Sequence, residues 1–349
     1  MRREIFRMPE REAIALLTRA RVLHLATTTP EGEPVLRALD GAVSDGAVVF
    51  HGAPTGEKAS CLGRPAVVSA EEVVAHVPSW FTDPERACPA TTFYRSAQVH
   101  GALERVDDLT AKARALAALM AKYQPEGRHM PIAADHPLYR RALDGVLVLR
   151  VALTRVDGKA KLAQNRGADE RARLLEGLWR RGDPGDVEAL EAIRAACLDT
   201  PLPAVLAPHG GATLHAALPP AVVEEAALLL ADAYWWKGTP RELVAVVHRS
   251  SQAWVGARDA AERLVATARA VADGKTAWIY DVAVEPAWRG RGLGKRIVAL
   301  LLDHPAVRAA RTVRLATKDA QGLYEQFGFR DRGSVERPFP STEMTLVRG

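Results

Sequence analysis

Arginines at 289 and 291 and glycines at 290, 292 and 294 fall between two apolar runs, TAWIYDVAVEP (276–286) and the segment KRIVALLLDH that follows Gly294. Pro286 cannot continue a β ladder, so a strand stops there. The spacing of Ile297, Val298, Leu300 and Leu301 predicts a helix next. Glycines let the backbone turn tightly, so the amides of residues 289–294 point off a helix N-terminus. Such an end gathers unpaired N–H donors and positive dipole, which suits a phosphate or pyrophosphate. Arg289, Arg291, Lys295 and Arg296 add local charge of the same use. The spacing Arg289-x-x-Gly292-x-Gly294 is neither the dinucleotide pattern GxGxxG nor the mononucleotide loop GxxxxGK[ST]. Asp281 lies inside the apolar strand, where a charge is costly unless it is used or paired. It is a candidate proton acceptor, with a structural acceptor as the alternative.

Two different sets of elements precede and surround that loop. Residues 21–58 alternate short apolar runs with turn signals (RVLHLATT, PEGEP, VLRALDGAV, SDG, AVVFHGA), the rhythm of antiparallel strands. Further strands are expected at 66–77, 93–106 and 145–156, with the helical stretch TAKARALAALMAKY between the last two, which together suggest a small barrel. From about 169 the pattern turns helical, passes through RGDPGD and reaches the Pro- and Gly-rich TPLPAVLAPHGG. Pro219-Pro220 then precedes AVVEEAALLLADAYWW, with proline at a helix start. The expected organisation is a first domain over 1–180, a helical extension and linker over 181–222, and a second domain over 223–349. A chain of 349 residues exceeds the length at which one core usually keeps growing.

Composition narrows the class. Hydrophobic residues make up 48% and charged residues 26%, and no apolar run approaches the ~20 residues of a membrane span, so no membrane partner is expected. The start MRREIFRMPEREAIALL has no apolar signal core and reads as a helix after Pro9, which gives a cytoplasmic expectation. Cys61, Cys88 and Cys197 lie far apart without a CxxC pair, so neither a metal site nor a disulfide framework is expected. The net charge of +5 comes from 47 basic residues interspersed with 42 acidic ones, without a basic run, so no nucleic-acid partner is expected.

The order strand, RxxGxG, helix, RTVRLAT, LYEQFGF over 223–349 resembles the GNAT N-acetyltransferase superfamily. The resemblance implies an α/β GNAT fold. It also implies that the loop Arg289, Gly290, Arg291, Gly292, Leu293 and Gly294, with Lys295 beside it, cradles the pyrophosphate of acetyl-CoA. Backbone groups of Val282 and Val284 would hold the pantetheine arm and the acetyl carbonyl. Tyr324 matches the family tyrosine that protonates the leaving thiolate, while Phe327 and Phe329 supply core packing. The acceptor is a small-molecule amine, which must lose a proton to attack. Trp278 stands where other members carry a glutamate, which leaves Asp281 or water as the base. Tyr234, Trp235, Trp236 and the helix TPRELVAVVHRSS are expected around the acceptor.

Four segments of the front half, VLRALDG (35–41), FHGAPTGEK (50–58), ACPATTFYRSAQVHG (87–101) and GKAKLAQNR (158–166), resemble the pyridoxamine-phosphate-oxidase-like split-barrel superfamily. The nearest branches are the nitroimidazole-resistance and protease-synthase-regulator types, over about 1–180. The resemblance implies a β split barrel that binds FMN between the subunits of a homodimer. Arg37–Leu39 would lie along the isoalloxazine, with Lys58, Thr55 and Ser96 supplying phosphate donors. Ser96 replaces a glutamine of the oxidase itself, which puts oxidation of pyridoxamine phosphate in doubt. Lys161, Gln164 and Asn165 either reach the flavin across the dimer or form a hydrophilic turn. His51 is either the functional histidine of some relatives or a hydrogen-bonded core residue. The combined expectation is a bifunctional protein, an FMN-dependent oxidoreductase fused to an acetyltransferase. The alternative makes the barrel a non-catalytic module that binds a cofactor, dimerises or regulates.

Overall fold

Alternating runs broken by turn residues fold into β1 (Leu23–Thr28), β2 (Pro34–Leu39), β3 (Gly41–Ser44), β4 (Ala47–Gly52), β5 (Pro65–Val77), β6 (Thr91–Ala102), β7 (Glu104–Val106), β8 (Leu147–Ala152) and β9 (Arg155–Lys161). The computed structural model describes residues 4–334. The turn between β3 and β4 shows the local cause: Asp45 and Gly46 both take positive φ, 47° and 69°, in a two-residue hairpin that an Asp-Gly pair favours.

These strands make two antiparallel sheets, β2-β1-β5-β6-β9 and β3-β4-β8-β7. The single residues Asp40 and Leu103 carry the chain from one sheet to the other at β2/β3 and β6/β7, and Leu153-Thr154 does so at β8/β9. This is a split barrel. Its core joins Leu23, Leu25, Val68 and Val99 of the first sheet to Phe50, Leu149 and Val151 of the second, with Leu16 and Leu17 of the helix Glu10–Arg19. Each such side chain contributes about 1.5–3 kcal/mol on burial. The helix Leu109–Tyr123, capped by the Asp108 carboxylate on the Ala111 amide at 2.7 Å, lays Ala115 and Leu119 on Ala42 and Val49. At its end the Tyr123 hydroxyl takes the Gly41 N–H at 3.0 Å and the Lys122 ammonium donates to the Gly41 carbonyl at 2.6 Å. Those bonds hold the corner where the chain changes sheets.

The chain divides into two units, Met1–Leu178 with Glu188–Pro201, and Trp179–Val187 with the remainder from Leu202. The division is interleaved, which the single boundary near 180 did not anticipate. Within the first unit the Arg171 Nε donates to the Thr200 hydroxyl at 2.8 Å, and within the second the Trp179 indole donates to Asp303 at 2.8 Å.

The second unit contains β10 (Thr213–His215), β11 (Ala253–Arg258), β12 (Leu264–Ala272), β13 (Thr276–Val284) and β14 (Thr312–Arg314), in that order across one sheet. β10 to β13 pair antiparallel and β14 joins β13 in parallel. The helix Leu293–Asp303 packs on β11, β12 and β13, and the helix Val223–Leu230 on β12 and β13. Residues expected as linker therefore include a strand of this sheet; three residues are too few to show alternation. The apolar run expected as one helix ends at Leu230, and Tyr234–Trp236 forms a separate 3-10 turn. No helix among the described residues is long and apolar enough to cross a membrane.

Candidate functional site

β13 and β14 pair only from Thr276–Trp278 to Thr312–Arg314, and β13 continues to Val284 without that neighbour. The parting has a local cause on the other edge. The β12/β13 register shifts between Thr267 and Arg269, and Asp281 takes φ 53°, so an extra residue bulges out of β13 and bends it. The Glu285 amide donates to Val265 of β12 at 2.9 Å, so residues of the alternate parity, Val282 and Val284, turn their backbone groups toward the side that β14 has left. The Val284 carbonyl accepts from the Arg289 Nε at 3.0 Å; Val282 lies farther into the opening.

The glycine loop sits at the mouth of this opening. Gly290 and Gly292 take φ 75° and 77°, and Gly292 is the N-cap of the helix Leu293–Asp303. Gly294 sits close to both neighbours: a Cβ there would make ordinary contact, 3.6 Å from Val284 Cγ2 and 4.0 Å from Leu323 Cδ2. Strand end, helix start and the helix Gln321–Glu325 thus meet at one point. Leu293 turns its side chain into the core, leaving only its backbone for a ligand, while the Lys295 side chain is exposed. The Arg291 guanidinium lies 5.1 Å over the Trp288 ring.

A brace from outside the motif supports the loop. The His209 Nε2 donates to the Arg291 carbonyl at 2.9 Å, and a Cβ on Gly292 would stand 3.0 Å from that nitrogen. Arg296 donates to the Ala204 and Val205 carbonyls at 3.3 and 3.2 Å, pinning the same segment to the helix. Sequence reading passed over His209; its only signal was the adjacent Gly210-Gly211 turn, with φ 62° and 88°.

Tyr324 is buried on the helix Gln321–Glu325, edge-on to Phe329 at 5.9 Å. Burial first, and the neighbouring Tyr234 second, hold its phenol above the usual range, so it keeps its proton at neutral pH. For Asp281, expected as either a proton acceptor or a structural acceptor, the geometry favours the second. Its carboxylate pairs with the Arg269 Nε at 2.5 Å and accepts from the indoles of Trp235 and Trp236 at 3.1 and 2.7 Å. A buried carboxylate so occupied acts as a structural hub, tying the Tyr234–Trp236 turn to β13.

In the barrel, Arg37, Thr55 and Lys58 line one pocket of about 220 Å³ with Ala38, Ala53, Gly56 and Glu57. Arg37 is paired with Glu57 at 2.6 Å, and Lys58 lies over Gly52, where a Cβ would come within 3.1 Å of its Cε. The cations suit a phosphate, although Glu57 already engages one of them. Leu39 departs from expectation: its side chain is in the barrel core. The His51 ring is exposed outside this lining; only its carbonyl meets Lys58, at 3.5 Å. Ser96 and Lys161 do not join the pocket. Phe93, Ala97 and Val99 face the core, so Ser96 and Tyr94 face outward, and Lys161 pairs with Tyr94. Arg37 has the strand parity of Val35 and Leu39 but an exposed side chain, on a strand three positions from β6, or about 14 Å across the sheet. The Lys161 ammonium donates to Thr91 Oγ1 at 2.5 Å. Gln164 satisfies both ends of its amide within its own turn, accepting from Leu162 at 2.7 Å and donating to Ala160 at 2.8 Å, while Asn165 is exposed. For Gln164 the hydrophilic-turn reading is the one the geometry supports.

A split barrel with a cationic pocket, followed by a sheet opened at a bulge with a glycine loop at its mouth, defines a two-module protein of split-barrel and acyltransferase architecture. The chain belongs to the GNAT acetyltransferases through its second unit and carries a domain of the pyridoxamine 5'-phosphate oxidase family in its first. The acetyltransferase (GNAT) domain family matches residues 249–331 and the pyridoxamine 5'-phosphate oxidase family residues 9–160. The chain is 31% identical over 116 residues to the uncharacterized N-acetyltransferase ycf52 of Pyropia yezoensis, covering 32% of this chain and 67% of that protein. It is similar to a solved structure from Xanthomonas campestris pv. campestris described as a GNAT-family acetyltransferase, at 31% identity, 37% of this chain, 94% of that one and a TM-score of 0.31. It is also similar to a solved protein of Bacteroides thetaiotaomicron assigned to 5-nitroimidazole antibiotic resistance, at 18% identity, 43% of this chain, 83% of that one and a TM-score of 0.34.

Proposed function

We propose that the second unit transfers the acetyl group of acetyl-CoA to a small amine. The observation that carries this reading is the parting of β13 from β14 with Gly290–Gly294 at its mouth and the buried Tyr324 beside it. Loop amides of residues 289–294, with Arg291 and Lys295 nearby, bind the pyrophosphate. Val282 offers backbone groups to the pantetheine amides, completing the ladder that β14 leaves. The uncharged amine nitrogen attacks the thioester carbonyl carbon; a C–N bond forms, the C–S bond breaks, and sulfur keeps the electron pair. Tyr324 gives its phenolic proton to that sulfur. The proton shed by the amine passes to water, because the Asp281 carboxylate is engaged by Arg269 and two indoles.

The test is thiol release from acetyl-CoA with an acceptor found by screening amines. Tyr324→Phe keeps the ring and removes the donor, so acetyl-CoA affinity survives while turnover falls ~100-fold. Wild-type turnover in a chemistry-limited assay removes Tyr324 from the mechanism.

The first unit is proposed to bind FMN as a homodimer, with Arg37, Thr55 and Lys58 at the phosphate and Ser96 and Lys161 supplied by the second copy. The support is geometric: Arg37 on β2 and Ser96 on β6 have opposite strand parities and stand three strands apart, so a second copy is the source of Ser96 and Lys161 in this reading. FMN, when bound, supplies hydride or electron transfer. A second reading, a binding or regulatory module without turnover, is favoured by the Arg37–Glu57 pair, which spends one cation on a carboxylate.

A further inference from the structure

Four flat groups form a layered strip across β12, β13 and β14. The Trp278 and Tyr280 rings stack at 19° with centroids 6.1 Å apart. The Arg269 guanidinium lies 4.6 Å over the Tyr280 ring, and the Arg314 guanidinium 5.9 Å over the Trp278 ring. Trp278 and Arg314 are also the last residues paired between β13 and β14, so the strip begins where the opening for the thioester begins. After β14 the chain reaches Lys318, whose amide donates to the Tyr234 hydroxyl at 2.9 Å and whose ammonium lies 5.7 Å over the Tyr234 ring.

The charge around these rings is one-sided. Arg269 is neutralised by Asp281, but among the described residues no carboxylate pairs with Arg314 or Lys318. The face of an aromatic ring attracts cations, yet here Trp278, Tyr280 and Tyr234 each already carry one. A polyamine or other purely cationic acceptor would meet positive charge. The guanidinium of Arg314, 5.9 Å from the Trp278 ring centre, instead offers a fork of N–H donors that matches a carboxylate in two-point geometry.

We infer that the acetyl acceptor is an amine that also bears a carboxylate, an amino-acid-class substrate, with Arg314 on Trp278 as its carboxylate clamp. The inference rests on the acetyltransferase reading given above. The clamp lies at the start of the strand opening, so a short molecule held there by its acid end keeps its amine within reach of the thioester.

The experiment uses the full chain, saturating acetyl-CoA and matched acceptors: amino acids, the carboxamides of the same amino acids, and diamines of similar length. The unmodified protein is expected to prefer acid over carboxamide by about tenfold to a hundredfold in kcat/KM, the range of a charge-assisted hydrogen bond. Arg314→Gln should bring that ratio close to one, mainly through KM for the acid, and Arg314→Lys should restore part of it. Calorimetric titration of acetyl-CoA into each variant shows whether the donor site is intact. A ratio near one in the unmodified protein, a ratio unchanged in Arg314→Gln, or a preference for diamines overturns the acceptor class while leaving acetyl transfer standing. An unmodified protein that does not bind acetyl-CoA overturns the transfer reading itself, and the clamp with it.

Discussion

Replacing Asp281 by Asn separates the two roles a carboxylate on β13 can play. The backbone tolerates the change, because Asn enters the left-handed region about as readily as Asp and φ there is 53°. The side-chain volume is kept, and the amide oxygen still accepts from Trp235 and Trp236. The counter-charge of Arg269 is lost. Both partners are well buried, with side-chain exposure of 10% for Arg269 and 3% for Asp281. Removing one member of such a pair leaves an uncompensated charge and costs about 3–5 kcal/mol. For a unit of this size each kcal/mol lowers the melting temperature by roughly 2–4 °C, so a drop of about 6–20 °C is expected. The assay is calorimetric melting of the second unit alongside acetyl transfer at 25 °C, well below the lowered transition. The acid limb of the pH profile of kcat/KM should keep its position. An unchanged melting temperature together with collapsed turnover and a missing acid limb would show that Asp281 is the base and that the pairing with Arg269 is incidental.

Other expectations are independent of that one. Burial first, then the charge of Arg308, pushes the His304 imidazole down to about 4. It folds neutral while the unfolded chain protonates near 6.5, so its contribution, fully present above that pH, is lost as pH falls to about 4, by about 3 kcal/mol; His304→Asn keeps the helix cap and should flatten the acid decline in melting temperature. His209→Ala removes the donor to the Arg291 carbonyl, and acetyl-CoA affinity measured by calorimetry should fall ~5-fold, the worth of one partly exposed hydrogen bond; unchanged affinity means the loop needs no brace. Full-length protein incubated with FMN should sediment as a dimer with a flavin spectrum and Lys58→Glu should lose the flavin but not the dimer; a colourless monomer at micromolar concentration counts against the shared site.

The strand-loop-helix around Gly290–Gly294 was readable because each part carries its own signal: β-rich apolar residues, a stopping proline, glycines, then helical spacing. The barrel strands were readable from alternation and turns, down to the Asp45-Gly46 hairpin. Three things were not. The three residues of β10 are too few for any period, and their place in the sheet depends on pairing with Ala257 and Gly256, distant in sequence. The role of Asp281 depends on Arg269 and two indoles arriving from separate elements, and a lone carboxylate in a strand looks the same whether it is a base or a hub. Gln164 and Leu39 were assigned by motif position, and their side-chain directions are set by a local turn and by the barrel core.

The interleaving of the two units has a consequence for how the chain is made. Trp179 leaves the ribosome well before Asp303, which receives its indole proton and comes more than a hundred residues later. The first unit in turn waits for Glu188–Pro201, which delivers Thr200 to Arg171 and Cys197 to the Leu162 carbonyl. A ribosome stalled, or a gene cut, at codon 180 leaves Arg171 without Thr200 and Trp179 without Asp303. A single cut near residue 180 therefore leaves each unit short of a segment that the other side of the cut carries.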